Sequence, residues 1–183
     1  LCRTFNQKGK AHCDAKQIPE EILKRVSAEA MGLPFEALDA RAELEEHVCR
    51  PFAEAYRRGE TPSPCVLCNP SVKLRLLCER ADALGAEYIA TGHYARAEGG
   101  ALYMGRPEND QSYMLCRILP EQLRRLVLPL GGMIKAETRA LAEKWGLPAA
   151  KKPDSMELCF VPDGDYAARA RRCLLYTSDA ADE

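Results

Sequence analysis

The 183-residue sequence has no apolar run long enough to cross a membrane. Its longest uncharged stretch near the middle, Leu126 to Ile134, includes a proline and two glycines, whereas a membrane-spanning helix needs roughly 20 apolar residues. Signal-peptide features, internal repeats and low-complexity segments are also lacking. Fibrous, collagen-like and wholly disordered chains are therefore excluded, and we expect a globular protein without a membrane partner.

Cysteine is abundant, but its arrangement lacks the features of a disulfide framework. The nine cysteines are odd in number, and most stand alone within amphipathic helical patterns. Such usage is typical of a reducing compartment with one or two special thiol sites. The sequence therefore predicts a cytoplasmic protein.

Charge is nearly balanced over the whole chain, at a net of -1, but it is spread unevenly. Residues 14–60 carry a net charge of -4, and residues 117–152 carry +5. A positive segment suits a polyanion such as RNA. A solvated helix face explains the same charge more simply, so charge alone does not assign a partner.

Hydrophobic periodicity predicts alternating helices and short strands. Beyond a first helix from Pro19, we expect helices over 41–58, 72–84, 111–119, 121–127 and 135–145, and strands over 35–38, 88–91, 101–104 and 158–161. This order with short connections predicts an α/β fold with a parallel sheet. The prolines within residues 61–65 predict an irregular loop, because proline removes a donor and restricts its neighbour.

Cys65 and Cys68 form a Cys-x-x-Cys pair at the end of that loop. Two sulfurs at this spacing can reach one metal ion or each other. A helix N-terminus just beyond them would favour thiolate over thiol. The alternative is structural, with two small buried residues at a tight turn.

Thr91, Gly92 and His93 follow the predicted strand 88–91 without a gap. The carboxyl ends of strands in open α/β sheets form the ligand crevice. Gly92 would let a ligand approach the backbone, and His93 could donate a hydrogen bond to a phosphate or a base. A hydrogen-bonded structural histidine is at least as good an interpretation.

Two further stretches carry candidate residues. Asn109, Asp110 and Gln111 stand just before Tyr113 at a predicted helix start, where they could read an unpaired base or simply cap the helix. Cys159 lies alone in the predicted strand 158–161. An isolated cysteine there is usually core filling, unless the fold brings it near Cys65 or Cys68.

Together these motifs resemble the tRNA-specific 2-thiouridylase (MnmA/TrmU) family. The matching runs are TPSPCVLCN at 61–69, LGAEYIATGHYAR at 84–96, DQSY at 110–113, LPLG at 128–131, KPDS at 152–155 and LCFV at 158–161. Their order and spacing agree over roughly residues 41–166, while the first forty residues match only loosely.

The resemblance implies a fold, a reaction and partners. Members have an N-type ATP-pyrophosphatase domain of the Rossmann-like, adenine nucleotide alpha-hydrolase-like class, followed by a small central domain and a C-terminal β-barrel. They use ATP, with Mg²⁺, to adenylate the C2 oxygen of the wobble uridine U34 in tRNAs of the Lys, Glu and Gln type. A cysteine persulfide, charged by a relay protein or a cysteine desulfurase, then supplies sulfur.

The resemblance also implies residue roles. Cys68 matches the nucleophilic cysteine, Cys159 matches the cysteine that carries the persulfide, and the two are expected to end the cycle as a disulfide. Gly92 matches an ATP contact, and Cys65 belongs to the segment that faces the target base. The implied tRNA contacts are His93, Ser63, Pro64, Asn109, Asp110 and Gln111.

The sequence departs from the family pattern at both ends. We find neither the family's phosphate-binding loop, Ser-Gly-Gly-x-Asp-Ser, nor its barrel after Arg172. We therefore expect an internal fragment, inactive alone, with residues 1–160 from the ATP-pyrophosphatase domain and 161–172 opening the central domain. Residues 173–183, CLLYTSDAADE, resemble a translated sequencing adapter and are excluded from functional reasoning.

Cys65 leaves the cofactor open, since some relatives carry Asp at this position. Three thiols, Cys65, Cys68 and Cys159, could hold a [4Fe-4S] cluster with one open iron. We favour the persulfide route because the family pattern does not demand a third thiol. Two other hypotheses are a zinc-binding structural module that uses these cysteines with His93, and a non-catalytic α/β interaction domain.

Overall fold

The computed structural model describes residue 28 and residues 31–151, 158–161, 164–168 and 170–171. The chain divides into two compact units, one of residues 1–37 and 136–154 and one of residues 38–135 and 155–183. All candidate site residues lie in the described part of the second unit. The helix expected from Pro19, the motif at 152–155 and the tail 173–183 lie outside the described residues.

Two irregular helices open the second unit. Helix α1, Arg41–Leu44, runs through a wide π-helical turn, Glu45–Cys49, into α2, Arg50–Arg57. Helix α3, Pro64–Cys68, runs through a second π-helical turn, Asn69–Lys73, into α4, Leu74–Leu84. Gly85, with φ of 69°, closes α4 in the left-handed conformation that glycine adopts most readily, as the sequence predicted.

A proline is the physical cause of each wide turn. Pro51 follows the first turn closely, and Pro70 lies within the second. Pro51 and Pro70 have no N–H to donate to the carbonyl four residues earlier, and their rings would crowd it. A turn with hydrogen bonds five residues apart lets the helix pass the proline without breaking. The helix formed by α3, the second wide turn and α4 therefore continues from Pro64 to Leu84. The sequence predicted that it would start at Val72.

The strands form two short pairs. Strand β1, Ile89–Ala90, lies parallel to the later strand β4, Leu126–Val127. Strands β2, Ala95–Glu98, and β3, Ala101–Met104, form an antiparallel hairpin. Helix α5, Pro120–Arg125, leads directly into β4. The structure therefore has helices and a parallel strand pair, as the α/β prediction required.

The largest core cluster joins helix α4 to the strands. Its six buried members are Leu74, Ala81, Ile89, Ala95, Leu115 and Leu126. They come from α4, β1, β2, β4 and the short 3-10 turn Ser112–Leu115. Apolar burial of this kind contributes about 25 cal/mol per Å², so this cluster fixes the end of β1 relative to the helix that carries Cys68.

The predicted helix over 111–119 is wrong, and the reason is competition for backbone groups. Only residues Ser112–Leu115 form a helical turn, of the 3-10 type. In an α-helix the Ile118 N–H would donate to the Met114 carbonyl. Here the side-chain amide of Asn69 donates to that carbonyl at 2.8 Å, and the Ile118 N–H donates to the Leu115 carbonyl. A long-range side chain has replaced one bond of the expected helix.

Three other expectations also fail. The helix expected to reach 127 ends at Arg125, because Leu126 and Val127 pair with β1. Residues 158–161 form a turn closed by the Val161 N–H and the Leu158 carbonyl at 2.9 Å, and not a strand. Residues 35–38 are irregular and exposed, and they pair with no strand in the described parts of the chain.

In the first unit, the main described element is α6, Lys135–Lys144, which begins at the last residue before the unit boundary. Gly146, with φ of 66°, follows it, and a 3-10 turn covers Pro148–Lys151. The predicted helix over 135–145 is confirmed. None of the described helices combines the length and apolar content that a bilayer span requires.

Gly131 provides a test of the packing next to β2. A β-carbon at Gly131 would collide with the Ala95 carbonyl oxygen, whereas one at Gly132 would meet nothing within 4 Å. We expect Gly131→Ala to lower the free energy of unfolding by about 1–3 kcal/mol, as overpacking does. Gly132→Ala should leave it nearly unchanged. Thermal unfolding of the two variants measures the difference, and equal midpoints would contradict this packing.

Candidate active site

The structure places Cys65 and Cys68 within helix α3 and not on the expected loop. Pro64 is the first helical residue, where its missing N–H is not needed and its fixed φ suits the helix. The loop prediction was therefore wrong for residues 64 and 65, while Ser63 is the exposed residue just before the helix. Cys68 is buried and Cys65 is half-buried.

The segment that carries Cys159 packs against the helix that carries Cys68. Phe160 contacts the buried cluster of Val48, Cys68 and Val72, and its ring meets Phe52 edge-on with centroids 5.4 Å apart. Cys159 itself is exposed. A tertiary contact thus joins the segments of two cysteines that are ninety-one positions apart in the sequence.

Burial raises the pKa of the Cys68 thiol above its ordinary value. The Lys73 ammonium opposes this shift, and a hydrogen bond from the Lys73 N–H lowers the pKa further. Negative charge on Cys159 or Cys65 raises it, which means that both thiols lie within electrostatic reach of Cys68. All six described cysteines are free thiols, so the expected disulfide stays a prediction.

Lys73 is a site residue that the sequence interpretation missed. It lies five positions after Cys68, at the end of the π-helical turn. Its charge lowers the pKa of Cys68 and also that of His93. Pro70 is the sequence signal that could have found it, because a proline at this point of a helix calls for a wide turn.

His93 lies just beyond the carboxyl end of β1, as predicted. Its Nδ1 and the Thr91 hydroxyl are 2.8 Å apart. Burial, followed by the Lys73 charge, lowers the pKa of His93 below its ordinary value of 6.5. The ring is therefore largely neutral at pH 7, with one nitrogen engaged by Thr91.

Gly92 is exposed, and the fold does not require a glycine there. A β-carbon at this position would lie 3.7 Å from Leu130 Cδ1, an ordinary contact. By contrast, a β-carbon at Gly105 would lie 2.5 Å from the Tyr94 carbonyl oxygen. Packing thus explains the glycine at 105 but not the one at 92.

The segment Asn109–Gln111 is tied to neighbouring backbone. Asp110 accepts hydrogen bonds from the Gly105 N–H at 2.7 Å and the Ser112 hydroxyl at 2.8 Å. Partial burial raises the pKa of Asp110, but these bonds and one from the Ser112 N–H produce a net lowering. The Gln111 side chain accepts from the Tyr94 N–H at 3.1 Å. This segment therefore holds the chain that follows His93 in place.

Two buried amides brace the wide turn after Cys68. Asn69 reaches the Met114 carbonyl, and Gln122 donates to the Pro70 carbonyl at 2.8 Å. The Oδ1 atom of Asn69 is buried and finds no hydrogen-bond partner within the described residues. Sequence reasoning did not identify either brace, because neither partner is local.

Among the described residues, no group of three or more His, Cys, Asp or Glu side chains is arranged to hold a metal ion. Cys65, Cys68, Cys159 and His93 all belong to that part of the chain. The iron–sulfur cluster and the zinc site that the sequence left open stay hypotheses.

Comparison with known proteins gives a family and several relatives. A family model described as tRNA methyl transferase HUP domain matches residues 3–163. A protein named tRNA-specific 2-thiouridylase MnmA from Sorangium cellulosum (strain So ce56) is 51% identical over 163 residues. One of the same name from Rickettsia massiliae (strain Mtu5) is 49% identical over 147 residues.

These matches cover most of this chain but less than half of each relative. The Sorangium match spans 86% of the chain and 42% of the relative, and the Rickettsia match spans 78% and 40%. All described site residues fall within the residues that the family model matches.

Lys73 should lower the pH at which Cys68 becomes a thiolate. Because the ammonium lowers the pKa of Cys68, Lys73→Gln should raise that pKa and slow alkylation of Cys68 at a given pH. Lys73→Arg keeps the charge and serves as the matched control. Peptide-resolved mass spectrometry of iodoacetamide labelling across pH measures the shift. Identical pH profiles for Lys73→Gln and the wild type would show that Lys73 does not act on Cys68.

Proposed function

The chain belongs to the tRNA methyl transferase HUP domain family, and we propose that the full-length protein makes 2-thiouridine in tRNA. The observation that carries this proposal is the tertiary contact between a buried Cys68 and the segment of an exposed Cys159. The names of the relatives support the same reaction.

Sulfur transfer fits this site better than the methyl transfer in the family's description. A methyl group needs one donor molecule and no pair of cysteines, whereas sulfur is moved between thiols through persulfides and disulfides. The site offers two thiols from separate segments, with a cation beside one of them. The relatives are named for thiolation, which favours the same conclusion.

Exposure divides the roles between the two cysteines. A cysteine that receives sulfur from another protein must be reached from solvent, and Cys159 is exposed. Cys68 is buried, and burial disfavours its thiolate, an effect that the Lys73 charge opposes only in part. We therefore assign the persulfide to Cys159 and the later nucleophilic attack to Cys68.

In the proposed reaction, sulfur replaces the C2 oxygen of uridine in three steps. Attack of the uridine C2 oxygen on the α-phosphate of ATP releases pyrophosphate and makes AMP the leaving group. The terminal sulfur of the Cys159 persulfide bonds to C2 as the C2–O bond to AMP breaks. The Cys68 thiolate attacks the inner sulfur, which frees the outer one and leaves a Cys68–Cys159 disulfide. An external thiol must reduce that disulfide before the next turnover.

The other candidate residues would bind the substrates. Gly92 is exposed and unconstrained by packing, so ATP could approach its backbone closely. A neutral His93 can donate or accept a hydrogen bond to tRNA without adding charge. We retain Ser63, Pro64, Cys65 and the segment Asn109–Gln111 as the side of the site that faces tRNA.

Two cysteine substitutions test the reaction. In the full-length protein, Cys68→Ser and Cys159→Ser should each abolish 2-thiouridine while pyrophosphate release on tRNA and ATP continues. Cys116→Ser removes an exposed cysteine with no assigned role and should keep activity. Mass spectrometry of tRNA nucleosides distinguishes thiolation from methylation. Full thiolation by Cys68→Ser, or a methylated product, would refute the proposal.

Gly92→Ala and Gly132→Ala together test whether ATP approaches Gly92. Gly92→Ala should fold normally, because its added methyl group meets only Leu130, but it should weaken ATP binding by crowding the ligand. Gly132→Ala adds the same methyl group where nothing lies within 4 Å. Calorimetric titration with ATP measures the contrast, and equal affinities would remove Gly92 from the nucleotide site.

A further inference from the structure

A cleft lies beside the helix that carries Cys68. Its volume is about 390 Å³. The apolar side chains of Leu67, Pro70 and Leu119 line it together with His47, Arg75 and Arg117. No acidic side chain is among the described residues that line it, so the cleft combines an apolar surface with positive charge.

The two arginines differ in how they are held. Arg75 donates to the Ser71 carbonyl at 2.9 Å and pairs with Glu79 at 2.7 Å, with Glu43 further away at 3.8 Å. Arg75 is thus fixed and partly neutralised. Arg117 is exposed, and within the part of the chain that the structure describes no acidic side chain pairs with it. Arg117 is therefore the charge available to a ligand.

The cleft borders the candidate active site through shared elements. Leu67 directly precedes Cys68, and Pro70 lies in the π-helical turn that positions Lys73. Arg117 follows the 3-10 turn whose Met114 carbonyl receives the amide of Asn69. The cleft and the candidate active site are therefore formed in part by the same helix and wide turn.

We propose that the cleft binds one unpaired nucleotide of the tRNA substrate, with its phosphate on Arg117. This inference rests on the proposed function. The cleft is larger than a phosphate requires and falls in the range of ligand pockets. Unpaired RNA bases stack on apolar and guanidinium surfaces, and a guanidinium binds phosphate through paired hydrogen bonds. An uncharged or basic ligand would leave Arg117 without a partner.

The test uses the full-length protein and unmodified tRNA at several salt concentrations. Arg117→Gln should raise the Kd for tRNA roughly tenfold and make the slope of log K against log salt shallower by about one. Arg124→Gln removes an exposed arginine outside the cleft and is the matched control. At saturating tRNA, Arg117→Gln should thiolate at the wild-type rate, because Arg117 contributes to binding only.

The Kd for tRNA, the salt slope and the thiolation rate together support or overturn the cleft assignment. A raised Kd, a shallower salt slope and a normal saturated rate support it. A wild-type Kd and slope for Arg117→Gln, in an enzyme that still thiolates tRNA, overturn the cleft assignment and leave the proposed function intact. AMP that binds the wild type but not Arg117→Gln, without effect on tRNA affinity, would make this a mononucleotide site and also overturn it. A wild-type protein that neither binds nor thiolates tRNA refutes both proposals.

Discussion

The lack of an N–H on Pro70 is the constraint on which the rest of the site depends. A regular helix from Pro64 to Leu84 cannot contain this residue, so the helix widens over Asn69–Lys73. The wide turn makes the Pro70 carbonyl available to Gln122 and brings the Lys73 N–H to Cys68. One missing donor thus sets the position of the charge beside the buried thiol.

Burial and charge oppose each other at Cys68, and this balance would suit the single nucleophilic step that we propose for it. Burial raises the pKa of Cys68, Lys73 lowers it, and a negative Cys159 raises it again. The same lysine lowers the pKa of His93. The protonation states of both groups therefore respond to one cation, and any anion that approaches Lys73 would alter both.

The sequence predicted what local pattern decides and missed what distant contacts decide. It identified the helix over 135–145, the hairpin strand at 101–104, the strand before Gly92 and the helix end at Gly85, because periodicity and glycine are local signals. It extended a helix through Leu126 and Val127, since only pairing with Ile89 and Ala90 makes them a strand. It assigned no role to Lys73 or Arg117, because the importance of these residues depends on the wide turn and on the cleft.

Glycines show how packing separates structural from functional positions. Gly131 and Gly105 lie where a β-carbon would meet the backbone of Ala95 and Tyr94, so the fold alone accounts for them. Gly92 lies two residues before Tyr94 in the chain, and a β-carbon there would meet only the tip of the Leu130 side chain. Nothing in the described packing requires glycine at 92. We therefore propose that glycine at 92 serves a ligand that approaches the carboxyl end of β1 from outside, where open α/β sheets bind their ligands.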